Sequence, residues 1–193
     1  MPFVLDDWVA AAVVACDPSD EAASVGRLKC LLEATSAAEV RAAIPNEGDD
    51  EVLLHQSAVA TVYIVRVPLG VGYPPHDHGM AAVIKVFEGI EVNHYYEAGR
   101  ADSAIALCSS DRVAEGEVRA LAADVVHSLG AMGPARSQAL HVYLGDLGAQ
   151  PRTVFDLSSG QRLPFTEVNY FGLAAAASAT ALTDVAGMPD PPK

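Results

Sequence analysis

The sequence predicts a mainly-β protein: a jelly-roll barrel of antiparallel strands behind an N-terminal layer of helices. Between residues 52 and 157, short runs rich in Val, Ile, Leu and Tyr recur between Gly, Pro, Asp and Ser, whereas the first 45 residues carry helical periodicity and capping residues. A chain of 193 residues with 51% hydrophobic content is also long enough for one filled core. The expected organisation is a helical segment at 1–50 packed on the barrel, the barrel at 51–172 and an Ala/Pro-rich tail at 173–193.

Taken in order, Asp17-Pro18 reads as a helix start, with Val25, Leu28, Leu31 and Leu32 recurring on one face behind it. Ser36 and Glu39 have the spacing of a capping box, and Pro45 ends that helix. The acidic turn at 46–51 separates this layer from the strands, which are expected at 61–67, 81–87, 90–96, 125–129 and 139–144. Glu88 and Glu91 flank a turn at Gly89 and read as solvated. The alanine run after Phe171 has helical composition, and the last six residues, with three prolines, are expected to fray.

Charge and composition exclude several functions. A net charge of −13 repels phosphate backbones and anionic lipid, so neither nucleic acid nor membrane is an expected partner. The start lacks the basic flank of a secretory signal, and no segment approaches the roughly 20 apolar residues of a membrane span, so a cytoplasmic location is expected. Three cysteines at unrelated spacings suit neither a disulfide framework nor a zinc knuckle and read as small core residues, with a reactive Cys108 as the alternative. There is no GxSxG elbow, P-loop or dinucleotide fingerprint.

What remains is GVGYPPHDHG, residues 70–79. In an extended segment His76 and His78 point to one face, and the two prolines favour extension. Two imidazoles are an incomplete metal site, and His127, near the end of the apolar run ADVVHS, is the third candidate. His55 and His94 lie on strands where ordinary packing competes with a place at a pocket mouth, and His141 stands two residues before Tyr143.

Gly70, His76-Asp77-His78 and Gly89 resemble the first signature of the cupin superfamily, and residues 116–130, with His127, resemble the second. Within it, PPHDHGMAAVIKVFEG, ADVVHS and ALHVYLGD resemble the cysteine dioxygenase-like group of thiol dioxygenases, in particular bacterial predicted metal-dependent enzymes of the double-stranded β-helix fold. Many cupins add a glutamate ligand about four residues after HxH; Ala82 and Val83 stand there instead, which excludes both that carboxylate and the cysteine–tyrosine cross-link of mammalian-type members. The resemblance therefore implies Fe(II) held by three neutral histidines, with a small thiol and O2 as reactants and a sulfinate as product. It makes His141 and Tyr143 a hydrogen-bonded pair beside the iron, with Ala139 where those enzymes have a serine.

For the far end of the substrate, the resemblance aligns Gln56 with the arginine that clamps an amino acid carboxylate, as in members that prefer 3-mercaptopropionate. Arg66 is the alternative clamp if its side chain points into the barrel, and Tyr73 and Met80 are candidates for the pocket lining. Two further readings stand beside the thiol dioxygenase: a three-histidine iron enzyme that cleaves a carbon–carbon bond of a diketone or enolate, and a metal cupin that binds a ligand without catalysis. The helical layer covers one end of the barrel or makes a homodimer contact.

Overall fold

The structure, a computed structural model, describes residues 3–97 and 105–177. Three helices come first: α1 (Leu5–Ala15), α2 (Glu21–Ala34) and α3 (Ala37–Ala43). Asp20 rather than Asp17 caps α2, accepting a hydrogen bond from the Ala23 amide at 3.1 Å. Asp17 is spent on a local turn, in which its carboxylate takes both the amide and the hydroxyl of Ser19, so Pro18 precedes the helix instead of opening it. Ser36 caps α3 as its spacing predicts, accepting from the Glu39 amide, and the helix ends at Ile44 just before Pro45.

Among the described residues eleven strands follow: β1 (Glu51–Gln56), β2 (Thr61–Val67), β3 (His76–Asp77), β4 (Ala82–Glu88), β5 (Ile90–Glu97), β6 (Ala106–Ala114), β7 (Val118–Leu121), β8 (Val126–Met132), β9 (Ser137–Tyr143), β10 (Thr153–Asp156) and β11 (Gln161–Pro164). They form two antiparallel sheets, β1-β2-β9-β4-β7 and β11-β10-β3-β8-β5-β6, the double-stranded β-helix expected from the sequence. The turn from β4 to β5 requires glycine. Gly89 has φ of +74°, and a Cβ there would run into the Arg136 carbonyl. The helix α4 (Glu167–Ala177) begins ahead of the alanine run and takes in its first part; the expected fraying of the last six residues concerns positions outside the described residues.

The helical layer determines what the first sheet can do. Val62 and Ile64 of β2, Val83 and Phe87 of β4, and Leu140 and Val142 of β9 face Leu28, Leu32, Val40 and Ile44 in one apolar cluster. Because side chains alternate along a strand, Tyr63, Ile84, His141 and Tyr143 point the other way, into the barrel. The central strands are thus buried on both faces, which is why their sequences read as unbroken apolar runs. No helix among the described residues is long and apolar enough to cross a membrane.

Leu32 is fully buried between this layer and the sheet. Leu32→Ala is expected to cost about 2–5 kcal/mol of stability in chemical denaturation, and its metal stoichiometry should match wild type, because the site lies on the opposite face of the sheet.

Candidate metal centre

Strand register assembles the site. His76 on β3 lies directly opposite His127 on β8 and Val154 on β10, although β3 is only two residues long. Its path is fixed by main-chain bonds on either side, from the Tyr73 amide to the Leu129 carbonyl and from the Phe155 amide to the Pro75 carbonyl, both 2.8 Å. His78 follows and the chain then turns at Gly79, where φ is +65° and a Cβ would strike the Gln150 side chain.

The three rings converge. Nε2 of His78 lies 3.2 Å from Nε2 of His76 and 3.1 Å from Nε2 of His127, and all three residues are at most 4% exposed. The far nitrogens settle which atom carries the proton. His76 Nδ1 faces the Pro74 carbonyl at 3.1 Å, which only accepts, so Nδ1 holds the hydrogen and Nε2 presents a lone pair. His127 Nδ1 donates to the Asn93 side-chain oxygen at 2.8 Å, with the same result, while Nδ1 of His78 has no partner among the described residues.

Lone pairs this close repel unless something positive sits between them. Imidazole nitrogens about 2.1 Å from a common ion stand roughly 3–3.4 Å apart, so the observed spacing fits a metal bound by three histidines. Among the described residues the only group of side chains able to hold an ion is this trio, with no carboxylate in it. Ala82, at the start of β4, and Val83 are both buried there and bring no ligand.

Burial keeps the rings neutral. It pushes His76 down to about 4 from its ordinary 6.5, against the opposing pull of the Pro74 carbonyl and with help from Arg152. Burial also holds His78 and His127 well below the usual histidine range, assisted by the neighbouring imidazoles.

Behind the trio runs a buried polar chain. Asn93 donates its amide to Glu91 Oε1 at 3.0 Å, Glu91 Oε2 lies 3.2 Å from His141 Nε2, and His141 Nδ1 lies 3.2 Å from the Tyr143 hydroxyl. His141 and Tyr143 thus form the pair expected of them, and the Tyr143 ring stands edge-on to His78 with centroids 4.9 Å apart. Burial pushes the Tyr143 phenol far up, so it stays protonated. Glu91, expected to be solvated, is fully buried: Ile90 continues directly into β5, and the alternation of that strand turns Glu91 and Asn93 into the barrel.

A cavity of about 50 Å³ opens beside His76, lined also by Glu51, Tyr63, Tyr143, Arg152 and Tyr170. Arg152 stacks its guanidinium 3.7 Å from the Phe165 ring centroid, and no acceptor among the described residues takes a hydrogen bond from it. Burial lowers its pKa, and Tyr143 and Glu51 counter that.

The expected substrate contacts lie elsewhere. Gln56 is exposed, and its amide is bound to the Asp146 carboxylate at 2.6 Å. Arg66 shares the face of Val62 and Ile64, away from the barrel interior, and gives its guanidinium to Gln138, Asp49 and Pro45. Tyr73 stacks on Tyr170, with ring centroids 5.2 Å apart, and bonds to Asp50. Met80 packs in an apolar cluster with Tyr143 and Leu147. Of the two histidines weighed for the mouth, His55 bonds to Ser57 and His94 to Ser110 on the other face of β5.

Sequence reasoning missed Glu51, Tyr63, Arg152 and Tyr170. Period-two alternation along 61–67 separates Tyr63 from Val62 and Ile64 and was enough to find it. Arg152 and Tyr170 lie beyond the expected strands and carry no such signal.

No protein-family model and no curated protein matches the chain. Among solved structures it is similar to protein NMB1881 from Neisseria meningitidis, at 18% identity over 57% of this chain and 98% of that one, with a TM-score of 0.40. It is also similar to an RmlC-like cupin family protein with a double-stranded β-helix fold from Methanocaldococcus jannaschii, at 12% identity over 54% and 89%, with a TM-score of 0.42. The DMSP lyase DddQ from Ruegeria pomeroyi shares 21% identity over 50% of this chain, which spans 43% of the lyase, with a TM-score of 0.38.

The neutral trio makes metal-free stability depend on pH. Between about 4 and 6.5 the unfolded chain binds protons that folded His76 refuses, so stability rises with pH across that window and is lost as pH falls through it. Chelator-treated protein should melt lower at about pH 5 than at about pH 7. The difference should narrow in His78→Gln, and equal slopes in the two proteins would show that the trio is not the cause.

Proposed function

We propose that the protein is an Fe(II)-dependent thiol dioxygenase acting on a small thiol with an acidic group, such as 3-mercaptopropionate or cysteine. The observation that carries this reading is a ligand set of three neutral imidazoles with no carboxylate, beside a cavity holding an uncommitted guanidinium. Held by His76, His78 and His127, Fe(II) would supply the redox chemistry that joins both atoms of O2 to sulfur, taking RSH to RSO2H. A neutral ligand set leaves the charge of the ion uncompensated, which favours an anionic sulfur over a neutral donor.

The chain's own groups supply the rest. Arg152 suits a bidentate grip on the substrate's carboxylate, in place of Gln56 and Arg66, which are bound to other partners. Phe165 under its guanidinium limits the directions in which the fork can point. The Tyr143 hydroxyl donates to His141 Nδ1, and Tyr143 lines the cavity. The thiol proton can pass to the Tyr143 oxygen as the phenol proton moves to His141 Nδ1, where the Glu91 carboxylate on the other ring nitrogen balances the charge. Tyr63, set edge-on to Tyr143 with centroids 6.4 Å apart, restrains that ring.

Oxygen uptake by Fe(II)-loaded protein, measured with 3-mercaptopropionate, cysteine, cysteamine and mercaptosuccinate and with product masses recorded, tests the reading. Thiol-dependent uptake with a gain of two oxygen atoms is expected. Consumption of acetylacetone instead would point to carbon–carbon cleavage, and uptake with no compound would leave a binding protein. His76→Ala, His78→Ala and His127→Ala should each abolish stoichiometric iron, and retention by all three would remove the centre.

Two further variants divide the remaining roles. Tyr143→Phe should keep its iron and lose roughly 10²-fold or more in turnover. Arg152→Gln should raise KM about tenfold or more for acid-bearing thiols and leave cysteamine unaffected.

A further inference from the structure

Five side chains form one continuous buried series: Tyr143, His141, Glu91, Asn93 and His127. Both ends reach the candidate centre, and only Glu91, at its middle, is confined to accepting hydrogen bonds. We infer that Glu91 is the positioning residue that sets which nitrogen of His127 faces the metal and which way the Tyr143 hydroxyl points. This rests on the three-histidine metal reading and extends it to a residue that touches neither metal nor cavity.

The inference follows from donor and acceptor counting. A carboxylate has only acceptors, so each group that meets it must donate. On one side Asn93 must turn its NH2 to Glu91 Oε1, which leaves its oxygen for His127, and that oxygen requires the hydrogen on His127 Nδ1. The Nε2 lone pair is then free to face His76 and His78. On the other side a neutral His141 must carry its hydrogen on Nε2 to meet Glu91 Oε2, so its Nδ1 accepts, and the Tyr143 hydroxyl has to donate to it. Glu91, Asn93 and His141 are each no more than 0% exposed, so water cannot substitute for a wrongly oriented partner.

Glutamine at the same position breaks the logic while keeping the shape. Its amide offers one acceptor and one donating group, so either His141 or Asn93 must reverse. Reversal of Asn93 moves the His127 hydrogen to Nε2 and removes the lone pair from the centre; reversal of His141 turns the Tyr143 hydroxyl away from Nδ1.

Histidine tautomers read by ¹⁵N-detected NMR on metal-free protein, together with Co(II) affinity by chelator competition, test this. In wild type His127 should carry its hydrogen on Nδ1 and His141 on Nε2. Glu91→Gln should change at least one of the two tautomers and weaken Co(II) binding by roughly 10- to 100-fold. Asn93→Ala, which cuts one arm only, should weaken Co(II) binding and leave His141 unchanged. It decides the matter if the Gln variant fails to fold. Wild-type tautomers at both histidines in Glu91→Gln, or unaltered Co(II) affinity in Asn93→Ala, would overturn the role of Glu91. Failure of wild type to bind Co(II) would overturn the metal centre instead, and the tautomers would still decide the inference.

Discussion

The interior of this barrel is organised by the need to bury three imidazoles with their lone pairs facing one another. That arrangement is unfavourable in isolation: His78 Nε2 lies 3.1–3.2 Å from Nε2 of each of the other two rings, and all three residues are at most 4% exposed. It persists because each ring belongs to a different rigid setting. His76 is held by cross-strand register between β10 and β8, His78 by the chain reversal at Gly79, and His127 by the hydrogen bond to Asn93. A site assembled from sheet register is stiff, and stiffness is what a metal centre asks of its ligands before the ion arrives.

The helical layer makes such a polar interior possible. Here α1 to α3 cover the outward face of β2, β9 and β4, so Leu28, Leu32 and Val40 and their partners supply the apolar core outside the barrel. The inward face can then carry His141, Tyr143, Tyr63 and the Glu91 chain without leaving the domain short of buried hydrophobic surface. Each polar group of that chain is hydrogen-bonded, which is the condition under which a buried network is tolerated.

The sequence revealed the parts of the site governed by local periodicity. The strand at 61–67 has the expected bounds, and His76, His78, His127, His141 and Tyr143 come together as their spacing and the cupin resemblance suggested. The errors share a physical cause. Asp17 has the residue type and the following proline of a cap, but the turn that its carboxylate closes with Ser19 moves the helix start to Asp20. Arg66 looked available until strand parity placed it with Val62 and Ile64 on the helix side. Glu91 reads as a turn residue because a charged side chain beside glycine is usually solvated, and its burial depends on His141, 50 positions away in the chain, and on Asn93, which is itself bound to the distant His127. Arg152 is not legible because its place at the cavity comes from the pairing of β10 with β3 and β11 and from its stacking on Phe165, which no window of neighbouring residues encodes.

The charge distribution bears on how such a cavity would select its ligand. A chain of net charge −13 repels small anions at long range, so an acidic substrate gains nothing from steering. Whatever attraction it meets must be local. Within the cavity the balance reverses: the Arg152 guanidinium, stacked on Phe165, has no hydrogen-bond acceptor among the described residues, the three histidines are neutral, and an ion held by them would keep its full positive charge. Low dielectric strengthens those short-range interactions, whereas the surface repulsion is screened over about 8 Å at physiological salt. Glu51 at the same wall limits the effect, since it stands beside Arg152 as an opposing charge and disfavours a second carboxylate at that end. On the proposed reading, discrimination among thiols is therefore made in the cavity that His76 and Arg152 both line, and a single acidic group on the substrate suits that space better than two.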